Sequence, residues 1–266
     1  MQLSERLETI RAPLRVGGLP LGLIVLWTLV MVSIPIQRWV IGDDALSLGM
    51  TLGVVVQATA VLSILVQAWG WRETGRTAVI VAILTFGVEW LGSSTGFPFG
   101  QYDYTTRLQP QLFHVPLLIP LAWLMMLPSA WAVAWLITGG RSRLAFIGLS
   151  ALAMTAWDLF LDPQMVAWGF WVWDQPGGYF GIPWLNFFGW ALTAAVMTTL
   201  ARPENLPTRP LLLIYSITWL LETIGLFFFW GLPGPALVGF VVMGSFVAVA
   251  WRHIILTEVH IPKKFG

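Results

Sequence analysis

The chain has 266 residues, 57% of them hydrophobic and only 10% charged, with a mean hydropathy of +0.77. Those values lie outside the soluble globular range and point to an all-α, polytopic membrane helix bundle forming a single domain over 1–266. A net charge of +1, with no basic cluster longer than Lys263–Lys264, argues against nucleic-acid binding, and the lack of Cys excludes disulfides, thiolate catalysis and Cys-ligated metal sites.

A membrane-spanning helix needs about 20 apolar residues. Eight such runs occur along the chain: 18–37, 48–70, 77–96, 115–138, 144–165, 183–200, 210–230 and 233–251. The first follows Arg6, Arg11 and Arg15, as a signal peptide would. Its apolar run is too long for that, and no small-x-small cleavage site follows, so it is expected to be a span.

The basic residues predict the orientation. Twelve of the fourteen fall in the N-terminal segment, in every second loop and in the C-terminal tail, leaving only Arg38 and Arg107 on the other side. The positive-inside rule then places both termini in the cytoplasm, which requires an even number of spans. The loops on the opposite side are rich in aromatic residues, Gly and Pro: 96–104, 171–183 and 230–235. They read as rigid turns on the functional face. The 17 Trp admit two readings, an aromatic-lined cavity or lipid-facing interfacial rings.

Four carboxylates lie inside these apolar runs: Glu89, Asp158, Asp162 and Glu222. An Asp at a helix centre costs roughly 2.5–3.5 kcal/mol on insertion scales, so such groups are usually kept for chemistry or transport. At about 1.5 Å rise per residue, Glu89 lies roughly 20 Å from the inner end of its span, Asp158 about 21 Å and Glu222 about 18 Å. Asp162 is one turn beyond Asp158 on the same helix face. One shared site in the outer half of the bilayer is the expectation. Each carboxylate also has a structural alternative, a bond to a neighbouring helix or a cap at the interface.

Several chemistries are disfavoured. Three scattered His cannot build the iron sites of membrane oxygenases. No dinucleotide or P-loop fingerprint is present. Both Lys lie at the C-terminus, so no span offers a Schiff-base lysine. The Asp158-x-x-x-Asp162 pair resembles half of an intramembrane prenyltransferase site, but a second motif and the cations for a diphosphate are missing. What remains is acid–base chemistry on an apolar substrate. Burial favours the neutral, proton-bearing form of a carboxyl group, and Trp and Phe faces stabilise a cation.

At these residues the chain resembles the integral-membrane carotenoid hydratases of the bacterioruberin and gamma-carotene pathways. The matching stretches are Glu89-Trp-Leu-Gly-Ser-Ser-Thr-Gly-Phe-Pro-Phe-Gly-Gln-Tyr-Asp-Tyr104, Val115-Pro116 through Pro120 and Trp123, and Asp158-Leu-Phe-Leu-Asp-Pro-Gln-Met165. The last continues through Trp171, Trp173, Tyr179 and Gly181-Ile-Pro183 to Asn186-Phe-Phe-Gly-Trp190. The resemblance implies addition of water across the terminal C1,2 double bond of an acyclic carotenoid end group, giving a tertiary alcohol.

On that reading Asp158 donates the proton, Asp162 tunes it, and Glu89 orients or deprotonates the water. Tyr102, Tyr104, His114, Asn186 and Glu222 are further candidates for holding water or partnering the carboxyls. Trp90, Trp157 and Trp190 are candidates to flank the cation. No metal and no cofactor is expected. The expected partners are a carotenoid within the bilayer and membrane lipid, with other carotenoid-pathway enzymes as candidate neighbours. The expected location is the cell membrane, multi-pass. A carotenoid cyclase would protonate the same end and quench the cation by ring closure. A proton-coupled transporter would use the carboxylates as a relay.

Overall fold

The computed structural model describes residues 18–259; the basic residues Arg6, Arg11, Arg15, Lys263 and Lys264 lie outside them, as does His260. The helices are α1 (Leu19–Ile41), α2 (Ala45–Thr95), α3 (Leu118–Thr138), α4 (Arg143–Ala167), α5 (Trp184–Ala201), α6 (Thr208–Ile224) and α7 (Pro233–Val259). Among the described residues, seven helices are long and apolar enough to cross a membrane. A π-helical turn, Gly225–Phe229, continues α6. Short strands β1 (Tyr102–Tyr104), β2 (Gln111–Leu112), β3 (Val115–Pro116) and β4 (Trp171–Trp173) lie between helices.

α2 has 51 residues. As a straight rod it would be about 76 Å long, against a hydrocarbon core of about 30 Å. It is not straight. Gly70 leaves helical geometry at φ 78° and ψ 170°, a conformation open to residues without a Cβ. Beyond the far end of α2, the Arg107 guanidinium donates to the Asp43 carbonyl at 3.2 Å. Residues 96–107 span at most about 42 Å when fully extended, so the chain must double back at Gly70. The two arms, 45–69 and 71–95, correspond to two of the expected spans. The loop expected at 71–76 is instead helix. Glu73 and Arg76 pair one turn apart there, and Arg76 also donates to the Ala201 carbonyl at 3.1 Å.

α3 is the central helix. It is apolar around its whole circumference, as a helix enclosed by others should be, and 72% of its most apolar window is buried. α1 is peripheral, with 28% buried and Leu, Val and Trp residues facing outward. Both readings of the Trp excess hold for part of the set: Trp27, Trp123, Trp131 and Trp157 are buried, whereas Trp39, Trp71, Trp90 and Trp184 are exposed.

The loops on the side away from Gly70 are more ordered than rigid turns. β1 pairs antiparallel with β4, in the register Tyr102 to Trp173, Asp103 to Val172 and Tyr104 to Trp171. Side chains alternate across a strand. Tyr102, Trp171 and Trp173 therefore turn into the bundle, while Asp103 and Val172 are exposed. Two glycines let the adjoining loop settle. A Cβ on Gly92 would lie 2.7 Å from the Phe99 ring, and one on Gly189 would lie 2.5 Å from the same ring.

Candidate active site

Beneath the ribbon, residues of α2, α3, α4 and α5 line a small cavity of about 30 Å³. Glu89 from α2, Asp162 from α4 and Asn186 from α5 line it, together with Trp123 and Trp190.

Glu89 lies on the second arm of α2 and is buried. Its Oε2 accepts hydrogen bonds from the Tyr102 hydroxyl at 2.6 Å and the Tyr104 hydroxyl at 2.7 Å. The two-residue period of β1 puts both hydroxyls on one side. Burial, and then the neighbouring Glu89 carboxyl, push both phenols well above their ordinary value, so each remains a donor.

Asp158 and Asp162 are one turn apart on α4 and both are buried. Asn186, near the start of α5, bridges them. Its Nδ2 donates to Asp158 Oδ2 at 2.8 Å and also to Asp162 Oδ2. The Trp171 indole donates to Asp162 Oδ1 at 2.7 Å. Both oxygens of Asp162 are thus occupied, whereas Asp158 Oδ1 is buried with no hydrogen-bond partner. Asp162 lines the cavity; Asp158 sits one turn behind it.

Pro163 follows inside α4, near its C-terminal end. It has no N–H to give the carbonyl four residues earlier. That carbonyl, Leu159, accepts instead from the Tyr179 hydroxyl at 3.0 Å. Burial, and then the nearby Asp158, push the Tyr179 phenol up. The aromatic floor is a stack of Trp123 on Trp190, centroids 4.5 Å apart and 15° from parallel, with Trp157 edge-on to Trp190 at 5.8 Å.

The cavity thus gathers Glu89, Asp162, Asn186, Tyr102, Tyr104 and Trp190, with Asp158 and Trp157 directly behind. Three expected members lie elsewhere. His114 is exposed at the tip of the β2–β3 hairpin; it and Phe113 take positive φ, the conformation a two-residue hairpin turn requires. Trp90 is 50% exposed. One residue beyond Glu89 is about 100° around the helix, so Trp90 faces outward where Glu89 faces in. Glu222 lines a second cavity, with Gln57, Thr218 and Trp157. The expectation of one site shared by all four carboxylates is corrected accordingly. Position along a helix does not fix the direction a side chain faces.

Sequence reasoning did not assign site roles to Phe99, Trp123, Trp171, Trp173 or Tyr179. A signal for the ribbon was present: Tyr-Asp-Tyr and Trp-Val-Trp alternate with the period of a strand. Among the described residues, no group of three or more His, Asp or Glu is placed to hold a metal ion.

The carotenoid biosynthesis protein family matches residues 49–246. A bisanhydrobacterioruberin hydratase from Haloarcula japonica is 33% identical over 132 residues, covering 48% of this chain and 45% of the relative. The chain thus matches less than half the length of that curated relative. No solved structure matches. The family match takes in the two arms of α2 from residue 49, the ribbon, and every carboxylate described above, and the chain belongs to the carotenoid biosynthesis protein family.

Proposed function

We propose that the protein is a carotenoid hydratase that adds water to the C1,2 double bond of an acyclic end group by acid catalysis. The observation that carries this reading is that Asp162 and Glu89 line one cavity together with aromatic side chains. The hydratase relative supports it.

The Asp158–Asp162 pair carries one proton. It rests on Asp158, whose Oδ1 has no other partner, and passes through Asp162 to the alkene. Sequence alone gave the transfer to Asp158 and a tuning role to Asp162. Here the two residues share it, because Asp162 lines the cavity and a donor must reach the atom it protonates. The alkene's π pair forms the new C–H bond and leaves a tertiary cation, stabilised by the Trp123 and Trp190 faces. Water attacks the cation through its oxygen, and its proton goes to Glu89. Return of that proton from Glu89 to the Asp pair resets the site. Tyr102 and Tyr104 hold Glu89 oriented throughout.

The reaction takes place in a membrane. The arms of α2 cross separately, giving eight crossings with both termini cytoplasmic and the ribbon outside. A reporter inserted after Gln101 should be external; a cytoplasmic reading there would reverse the topology.

Expression in a lycopene-producing host with mass analysis of the pigments tests the function. A gain of one water per converted end is expected. Asp162→Asn and Asp158→Asn should each abolish it at matched protein level. An isomer of unchanged mass would instead identify a cyclase, and unchanged lycopene would remove the hydratase reading.

A further inference from the structure

The bend of α2 at Gly70 and the loop between α5 and α6 meet at an open cleft of about 630 Å³. Ligand pockets run from about 300 to 1,000 Å³, so the space suits a small polar molecule or a headgroup. Two hydrogen bonds hold its walls together. The Trp69 indole donates to the Asn205 carbonyl at 3.1 Å, and Arg76 donates to the Ala201 carbonyl at 3.1 Å. On the α2 side, Glu73 and Arg76 pair with each other. On the loop side, Arg202 and Glu204 line the same cleft, and neither side chain has a partner among the described residues.

The backbone at Arg202 sets that residue apart. It takes φ 48° and ψ 57° just past the end of α5. Glycine is the usual residue there, because it has no Cβ to strain. A cation near the last carbonyls also suits the helix dipole, but Arg76 already occupies the Ala201 carbonyl. The guanidinium of Arg202 is thus held at the cleft by a backbone that another residue would adopt more easily.

The charges restrict the ligand. An anion alone would meet Glu73 and Glu204, and a cation alone would meet Arg76 and Arg202. A zwitterion suits both: its phosphate accepts from Arg202 and its ammonium donates to Glu204. The surroundings point to a lipid. The cleft lies where the two arms of α2 join, at the end of the spans and not within them. Trp69 lines it and Trp71, beside it, is exposed; Trp gathers at the level of lipid headgroups. Leu200, at the end of α5, is exposed and offers an apolar surface for an acyl chain.

We propose that this cleft binds the headgroup of phosphatidylethanolamine, with Arg202 on the phosphate and Glu204 on the ammonium. The lipid source rests on the membrane placement proposed above; the demand for both charges rests on the cleft alone.

The test is native mass spectrometry of the purified, delipidated protein in detergent, titrated with phosphatidylethanolamine, phosphatidylcholine or phosphatidylglycerol. Phosphatidylethanolamine should bind about tenfold more tightly than either, because choline has no N–H to donate and glycerol brings no positive charge. Arg202→Gln and Glu204→Gln should each weaken it about tenfold, and Glu204→Gln should bring phosphatidylglycerol closer to it. Arg202→Gly suits the local backbone, should melt no lower without lipid, and should still lose the preference. Arg141→Gln, at an exposed arginine outside the cleft, should change nothing. Asp162→Asn should bind the lipid like the unaltered protein, so failure of hydration and failure of this site are told apart. Equal affinity for the three lipids, or a preference that survives Arg202→Gly, would overturn the proposal. So would soluble phosphoethanolamine binding as tightly as the lipid, which would assign the cleft to a soluble ligand.

Discussion

Tyr104 and Trp171 face each other across the β1–β4 ribbon, and each donates its polar hydrogen to a different carboxyl. Tyr104 reaches Glu89 at 2.7 Å and Trp171 reaches Asp162 at 2.7 Å. One short ribbon therefore sets the spacing between the two acid–base groups. A hydrogen bond to a charged group contributes about 1.5–3 kcal/mol. Tyr104→Phe leaves Tyr102 on Glu89 and should slow hydration by about tenfold at most. The Tyr102→Phe/Tyr104→Phe double variant should lose roughly 100-fold. Trp171→Phe keeps the ring but frees Asp162, and should cost about tenfold. Initial rates in membranes, at matched protein level, check the series.

The same tyrosines give a pH dependence whose sign is fixed. Burial and Glu89 raise the folded-state values of Tyr102 and Tyr104 above the ordinary 10.0. Their contribution is therefore complete below pH 10. Above it the unfolded chain loses phenol protons that the folded state retains, so stability falls as pH rises. The slope approaches about 1.4 kcal/mol per pH unit for each tyrosine. Thermal unfolding in detergent from pH 8 to 11 should show this alkaline decline, and the double Phe variant should flatten it.

Tyr179 completes α4 where Pro163 interrupts it. Tyr179→Phe strands the Leu159 carbonyl, at a cost of about 1–3 kcal/mol. Pro163→Ala restores a backbone N–H one turn away. The Tyr179→Phe/Pro163→Ala double variant should therefore be more stable than Tyr179→Phe alone. Melting temperatures of the four proteins form the cycle; purely additive effects would show that the two residues do not share that carbonyl.

The spans were legible in the sequence because hydropathy and length alone define them. Their ends agree with α1 and α3–α7 to within a few residues, except that α7 runs on to Val259. The continuity of α2 was not legible. Residues 72–76 are polar or small, as a loop would be, yet they continue the helix while Gly70 alone takes the bend. Counting residues gives a carboxylate's position along its helix but not the direction it faces. Glu222 lines a different cavity from Glu89. The Asn186 bridge joins residues 28 and 24 positions apart, a contact that no local pattern specifies. The ribbon is similarly non-local: its three-residue strands alternate as strands do, but nothing local pairs Tyr102 with Trp173.

The central claim is that Asp158, Asp162 and Glu89 hydrate an alkene by proton transfer with water as the nucleophile. The most direct test is conversion of lycopene in oxygen-18-labelled water, followed by mass analysis of the tertiary alcohol. The account predicts that the hydroxyl carries the label from water and that conversion proceeds equally well without dioxygen. Label arriving from dioxygen, or conversion that stops under anaerobic conditions, would contradict it.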